Sequence, residues 1–133
     1  MATTTAKITI TSADLIDSQA LSLSAETTLT QEGTATGIVN TTGLARKVFT
    51  STSDFILFDG DAYTDGSHKI YIRNLETDVT KYFDIKINAE LIGRIYGGDW
   101  IFIPWRAAAD TSDVKVAAGD TNAQSLEYML FYE

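Results

Sequence analysis

The chain has no cysteine, one proline and one histidine in 133 residues. Without a thiol there is no disulfide scaffold, no thiolate metal site and no cysteine nucleophile, and nothing marks a redox compartment. Basic residues are also scarce: ten Lys and Arg against eighteen Asp and Glu leave a formal net charge of −8. The longest basic run is Arg46-Lys47. Proteins that hold nucleic acid or an anionic membrane surface present a basic stripe that releases counterions from phosphate, so neither partner is expected. No stretch approaches the ~18 consecutive apolar residues of a membrane helix. The opening Met-Ala-Thr-Thr-Thr-Ala-Lys has neither the basic nor the apolar region of a secretory signal. The expectation is a soluble protein made in the cytoplasm of the cell that produces it.

What is present is ample core material, 44% hydrophobic and 11% aromatic residues. A chain of this length buries roughly two-thirds of its unfolded surface and needs no covalent staple. That material is unevenly placed. Residues 1–50 are rich in Thr, Ser and Ala, with Phe49 as their single aromatic, whereas 51–133 hold both tryptophans and all six tyrosines. The first part has too few large apolar residues to close a core alone. One domain over 1–133 is therefore expected, with 1–50 forming part arm and part edge strands beside an aromatic-rich 51–133.

Period-two alternation recurs along the chain and predicts strands. Lys7 to Thr11 puts Ile8 and Ile10 on one face; Leu21 and Leu23 alternate with serines in a segment running to Leu29. Asp54 to Asp59 is a short apolar run closed by acids, as in a strand buried on both faces. His68–Asn74, Val79–Ile87, Glu90–Tyr96, Trp100–Trp105, Val114–Val116 and Leu126–Tyr132 complete the set. Gly97-Gly98-Asp99 tolerates positive φ and reads as a hairpin turn. Pro104 cannot donate to a ladder, so it marks an edge, a bulge or a strand end. Helical signal is thin: Ser12 could cap one turn over 12–17, and the alanine-rich 106–110 is too short to hold a helix alone. Strands about every ten residues predict an all-β fold, an antiparallel β-sandwich or jelly-roll-like barrel with an extended polar N-terminal segment.

The residue types that carry chemistry do not assemble into a motif. His68 opens a strand without a recognisable nucleophile or orienting acid and reads as a surface residue at a strand entrance. Asp59-Gly60-Asp61-Ala62-Tyr63-Thr64-Asp65-Gly66 is the densest acid cluster. Framed as a calcium loop from Asp61, it has its glycine at Gly66, but Tyr63 stands at the third position and Ile72 at the twelfth. It reads as an ordinary Asp/Gly loop. Trp100 and Trp105 with Tyr63, Tyr71 and Tyr82 could line a sugar-binding face, although aromatics at alternating strand positions generally serve the core. Eighteen acids make chance carboxylate pairs common, and a hydrolase built on them is the weakest reading. No catalytic, cofactor-binding or metal-ligating residue is assigned, no cofactor is expected, and the chain reads as non-enzymatic.

Four C-terminal segments, His68–Leu75, Tyr82–Ile87, Ile92–Trp105 and Leu126–Glu133, together with Thr41–Phe49 upstream, resemble small β-sandwich virion proteins of tailed bacteriophages. The resemblance spans roughly 41–133 and is one of pattern: an x-Ile-Gly-x-Ile strand, a Gly-Asp turn, then a Phe-Ile-Pro strand. It implies a structural protein of the virion, made in the host cytoplasm. The first choice is a capsid decoration (cement) protein that binds the major capsid protein or another virion protein as a homo-oligomer, a trimer being favoured. A tail- or fibre-associated virion protein is the alternative, and a carbohydrate-binding β-sandwich module a further one.

Overall fold

The computed structural model describes residues 3–16, 19–30, 38 and 40–132. They form eleven strands. Strand β1 (Thr3–Ile16) and β2 (Gln19–Thr30) pair only with each other, as a long antiparallel hairpin, the arm. The remaining strands are β3 (Asn40–Thr41), β4 (Ala45–Phe49), β5 (Phe55–Phe58), β6 (Ser67–Asn74), β7 (Tyr82–Ile87), β8 (Glu90–Tyr96), β9 (Trp100–Arg106), β10 (Val114–Ala118) and β11 (Gln124–Tyr132). They make two sheets, one ordered β5-β10-β7-β8 and one ordered β3-β11-β6-β9. In the second, β4 shares the flank of β11 with β3. Among the described residues every strand-to-strand pairing is antiparallel. The protein is an antiparallel β-sandwich with an extended N-terminal hairpin.

Alternation explains the layers. In β6, His68, Ile70, Ile72 and Asn74 point inward and are fully buried. In β7, Phe83 and Ile85 do the same from the opposite sheet, as the sequence pattern requires. Aromatic contacts span the layers: Phe49 meets Phe83 edge-on at 5.5 Å, and Phe58 lies 5.9 Å from Tyr128. Asn74 ties the sheets at one end, its Nδ2 donating to the carbonyls of Lys81 and Ile95 while its Oδ1 accepts from Glu76 N. A buried amide used on both its atoms costs little and fixes one geometry.

Several expectations need correction. The 97–99 turn is tight, with Gly98 at φ 90° and Asp99 N bonded to Tyr96 O. It does not close a hairpin, however, because β8 belongs to the four-stranded sheet and β9 to the other. The chain changes layer there, and turn chemistry alone carries no record of that. Strand β5 is not buried on both faces. It is an edge strand whose Phe55 and Ile56 are exposed, with Phe58 buried in the core and Leu57 packed partly buried against it. Segment 12–16 is strand rather than a helical turn: the Ser12 hydroxyl does accept from Leu15 N, but the result is a register shift in the hairpin. Asp17, the end of that expected turn, lies outside the described residues. Pro104 sits in β9, an outer strand, where its missing N–H is tolerated.

Candidate interaction surface

The outer faces of the two sheets differ in kind. On the four-stranded sheet, charges pair with charges: Arg94 forms two bonds to Asp84 and stacks 3.7 Å over the Tyr82 ring, and Lys86 meets Asp54 at 2.7 Å. The Asp84 carboxylate beside it raises the Arg94 guanidinium above its ordinary value. The charges of this face are paired, and Ile56, Leu91 and Tyr96 stand exposed among them.

The outer face of the five-stranded sheet carries aromatics instead. Its outward positions bring Tyr71 of β6 between Phe102 of β9 and Met129 of β11, with Arg73 between Trp100 and Glu127. Phe102 and Phe131 meet edge-to-face at 6.1 Å. Trp100 is 48% exposed. Across from this face stand arm residues 4–8 and 25–29, leaving an open groove of about 460 Å³ floored by Trp100, Phe102, Tyr71 and Phe131. Near the groove, Glu127 is almost fully buried, accepting from Arg46 Nε at 2.8 Å and from the Tyr71 hydroxyl at 3.0 Å. The Arg46 hydrogen bond holds the Glu127 carboxyl below its ordinary value, and burial pushes the Tyr71 phenol up. The pair therefore stays as carboxylate and phenol at neutral pH and locks Tyr71 in place. An aromatic floor with polar residues around it is the composition of a protein-binding surface.

The arm is amphipathic. On one face the cross-strand pairs are Ile8 with Ala25, Ile10 with Leu23 and Ser12 with Leu21; on the other, Thr and Ser surround the Lys7–Glu26 pair at 3.6 Å. Leu29 at the root is buried, yet Ile10 and Leu23 are 45% and 51% exposed.

The other residues singled out from the sequence are scattered. His68 is not at the surface: it is fully buried, its Nε2 donating to Thr64 O at 2.9 Å beside the rings of Trp105 and Tyr63. The inward position of β6 that it occupies, in step with Ile70 and Ile72, could have shown this. Trp105 is a core residue that donates from Nε1 to Ser112 O at 2.7 Å, while Trp100 lies on the opposite face of the same strand. Five residues of separation on a strand dictate that split. Tyr63 packs on Trp105 and Tyr132, and Tyr82 on Tyr96, so the five aromatics share no single face.

Asp59 and Asp61 are joined by Asp110, from a distant turn, with carboxylate oxygens within 4.8 Å of one another. All three are exposed, and a hydrogen bond with Asp110 raises Asp61 above its ordinary value. Asp59 also accepts from Asp61 N as the cap of a short 3₁₀ turn, Gly60–Ala62. Gly60 packs so closely on Ala109 and Ser112 that a side chain there would collide with both, which explains how the two loops come together. What sequence reading missed was the Tyr71–Glu127–Arg46 network, whose members lie up to 81 residues apart.

No family model matches the sequence, and no curated protein is significantly similar to it. Among solved structures, the chain is similar to the Yersinia pseudotuberculosis-derived mitogen at 10% identity and a TM-score of 0.44, over 71% of this chain and 86% of that one. It is also similar to the cupin domain of Schizosaccharomyces pombe Cnp3 at 9% identity and a TM-score of 0.39, over 96% and 84% respectively. Likenesses this distant say nothing of activity.

Proposed function

We propose that this chain is a non-enzymatic virion structural protein, a capsid decoration protein that binds the outer surface of a phage head through the aromatic face of its five-stranded sheet. The observation that carries the binding part is the open groove between the aromatic outer face of the five-stranded sheet, where Trp100 is 48% exposed, and the amphipathic arm that stands across from it. The assignment to a virion rests on the sequence resemblance over residues 41–133. Trp100 is the anchor of this surface, and the Arg46–Glu127–Tyr71 network holds its floor rigid. A rigid floor lowers the ordering cost of docking.

The test is co-sedimentation of the purified protein with phage heads lacking a decoration protein. Pelleting with heads is expected, and Trp100→Ala should weaken it at least about tenfold, the loss of ~1.4 kcal/mol or more typical of a hot-spot aromatic. Protein that stays in the supernatant with heads but pellets with isolated tails or fibres moves the assignment to a tail-associated role.

A second reading, a carbohydrate-binding module, is favoured by one observation, the exposed Trp100 ring beside Tyr71 and the arm threonines. Binding on a glycan array that is abolished by Trp100→Ala would replace the first reading. Trp105 is the wrong residue for that experiment, because removing it would open the core.

A further inference from the structure

Charge is unevenly distributed over this chain. Acids gather in the connections between strands, Asp59, Asp61 and Asp65 in one and Asp110 and Asp113 in another. The outer face of the five-stranded sheet has the opposite balance. Among the described residues, the outward positions of β4, β6, β9 and β11 carry Arg46, Lys69, Arg73 and Arg106 against Glu127 alone, with Asp65 matching Arg106 at the far rim. In a chain of net charge −8 this is a locally positive surface, and it holds the exposed Trp100. Charges elsewhere are screened over about 8 Å at physiological ionic strength, so a ligand seated here meets the local set first.

The lining of the groove restricts the chemistry of that ligand. Among the described residues it has no carboxylate and no amide side chain. Apart from threonine and tyrosine hydroxyls and the Trp100 indole, its polar groups are the ammoniums of Lys7 and Lys69, which donate and cannot accept. A ligand rich in acceptors, with apolar groups for Tyr71, Phe102 and Phe131, is matched on both counts. Spacing adds a further condition. Lys69, Tyr71 and Arg73 stand at alternate outward positions of β6, so the two cations lie about 13 Å apart with Tyr71 between them, at ~3.3 Å per residue. An extended polypeptide has the same rise and puts residues i, i+2 and i+4 on one face. Acids at i and i+4 then fall on Lys69 and Arg73, and an apolar residue at i+2 falls on Tyr71 and its cross-strand neighbour Phe102.

We infer that the groove takes an extended acidic segment of a partner protein, with two carboxylates flanking an apolar side chain at alternate positions. The inference rests on the aromatic face being a protein-docking surface, and it names the kind of chain that docks there.

The probe is a synthetic Ser-Glu-Ser-Phe-Ser-Glu-Ser peptide, blocked at both ends and titrated into the full chain at low salt. Binding is read from the tryptophan emission that Trp100→Phe removes. Saturable binding is expected, weakened at least about tenfold by Lys in place of both peptide glutamates, by Arg73→Glu and by roughly 0.5 M salt, and retained by Arg73→Lys. Moving the second glutamate by one position should weaken it too, because that carboxylate then faces away from β6. The peptide changes leave the protein unaltered, so the result does not depend on how a variant folds. Equal binding of the Glu and Lys peptides, no binding of either, or a preference for oligothymidylate or phosphatidylglycerol vesicles over the Glu peptide overturns the inference. Head binding is scored separately. Heads that pellet the protein equally at low and high salt, and equally with Arg73→Glu, keep the proposed function and overturn the inference. Selective binding of the Glu peptide by a protein that ignores heads keeps the inference and sinks the proposed function.

Discussion

The arm and the sandwich are written in the same period-two pattern with different outcomes. In β6, alternate residues Ile70 and Ile72 are fully buried; in β1, alternate residues Ile8 and Ile10 are 36% and 45% exposed. Alternation creates an apolar face, but a second layer is needed to cover it. The sandwich has that layer because its strands carry aromatics long enough to reach across: Phe49 to Phe83, Phe58 to Tyr128, Phe58 to Trp105. The arm carries Thr, Ser, Ala and a few aliphatics, which make a face without the bulk to make a core.

The sharpest way to break this comparison is to truncate both faces. Phe83→Ala should cost about 3–5 kcal/mol in urea denaturation, the usual loss for a buried phenylalanine. Leu23→Ala should cost no more than ~0.5 kcal/mol when measured at dilutions where the mass is that of one chain. A loss at Leu23 comparable to that at Phe83 under those conditions would mean that the arm is already covered within one chain. The next largest effect is expected at the junction of the sheets. Asn74→Ala leaves the Lys81 and Ile95 carbonyls and Glu76 N–H without their partner, a cost of about 2–3 kcal/mol that should lower the urea midpoint without changing the slope.

These contrasts separate what was legible in the sequence from what was not. The faces of β1 and β7 follow from alternation, Gly98 from its turn and Pro104 from its missing donor. The exposure of Phe55 and Ile56 was not legible, because a run of four apolar residues looks the same at an edge as at the centre of a sheet. Nor was the change of layer at Gly97-Gly98-Asp99, since local turn chemistry is identical for a hairpin and a crossing. The aromatic groove needs the register of β6 with both β9 and β11, and register is set by tertiary pairing. The Asp59–Asp61–Asp110 cluster likewise exists only once two distant loops pack through Gly60.

A smaller effect probes the floor of the groove through pH. Glu127 has its carboxyl lowered in the folded protein, first by the Arg46 hydrogen bond and further by Tyr71. A lowered folded value means that the stability it contributes is fully present above pH 4.5, its ordinary value, and is lost as pH falls through the folded value. Glu127→Gln should therefore flatten the acid limb of a stability–pH curve below pH 4.5. An unchanged limb would mean that the network is not formed in solution. The smallest effect belongs to the polar face of the arm. Lys7→Ala removes an exposed ion pair with Glu26 and should change stability by less than about 0.5 kcal/mol in thermal melts.

Strand β11 sits at the centre of its sheet, gripped by β3 and β4 on one side and β6 on the other, with Thr41 bonded to Leu130 across 89 residues of chain. This arrangement sets the order of events during synthesis. The arm is a local hairpin that can close within about 1–10 μs of leaving the ribosome. Strands β3 and β4 must wait for that intervening stretch, on the order of five to fifteen seconds at ordinary elongation rates, before the strand that holds them exists. Until then β6 is paired along one edge only, with β9. The body is thus a slow, end-dependent folder attached to a fast one, and a ribosome stalled before Gln124 would release a finished hairpin on an unfinished sandwich.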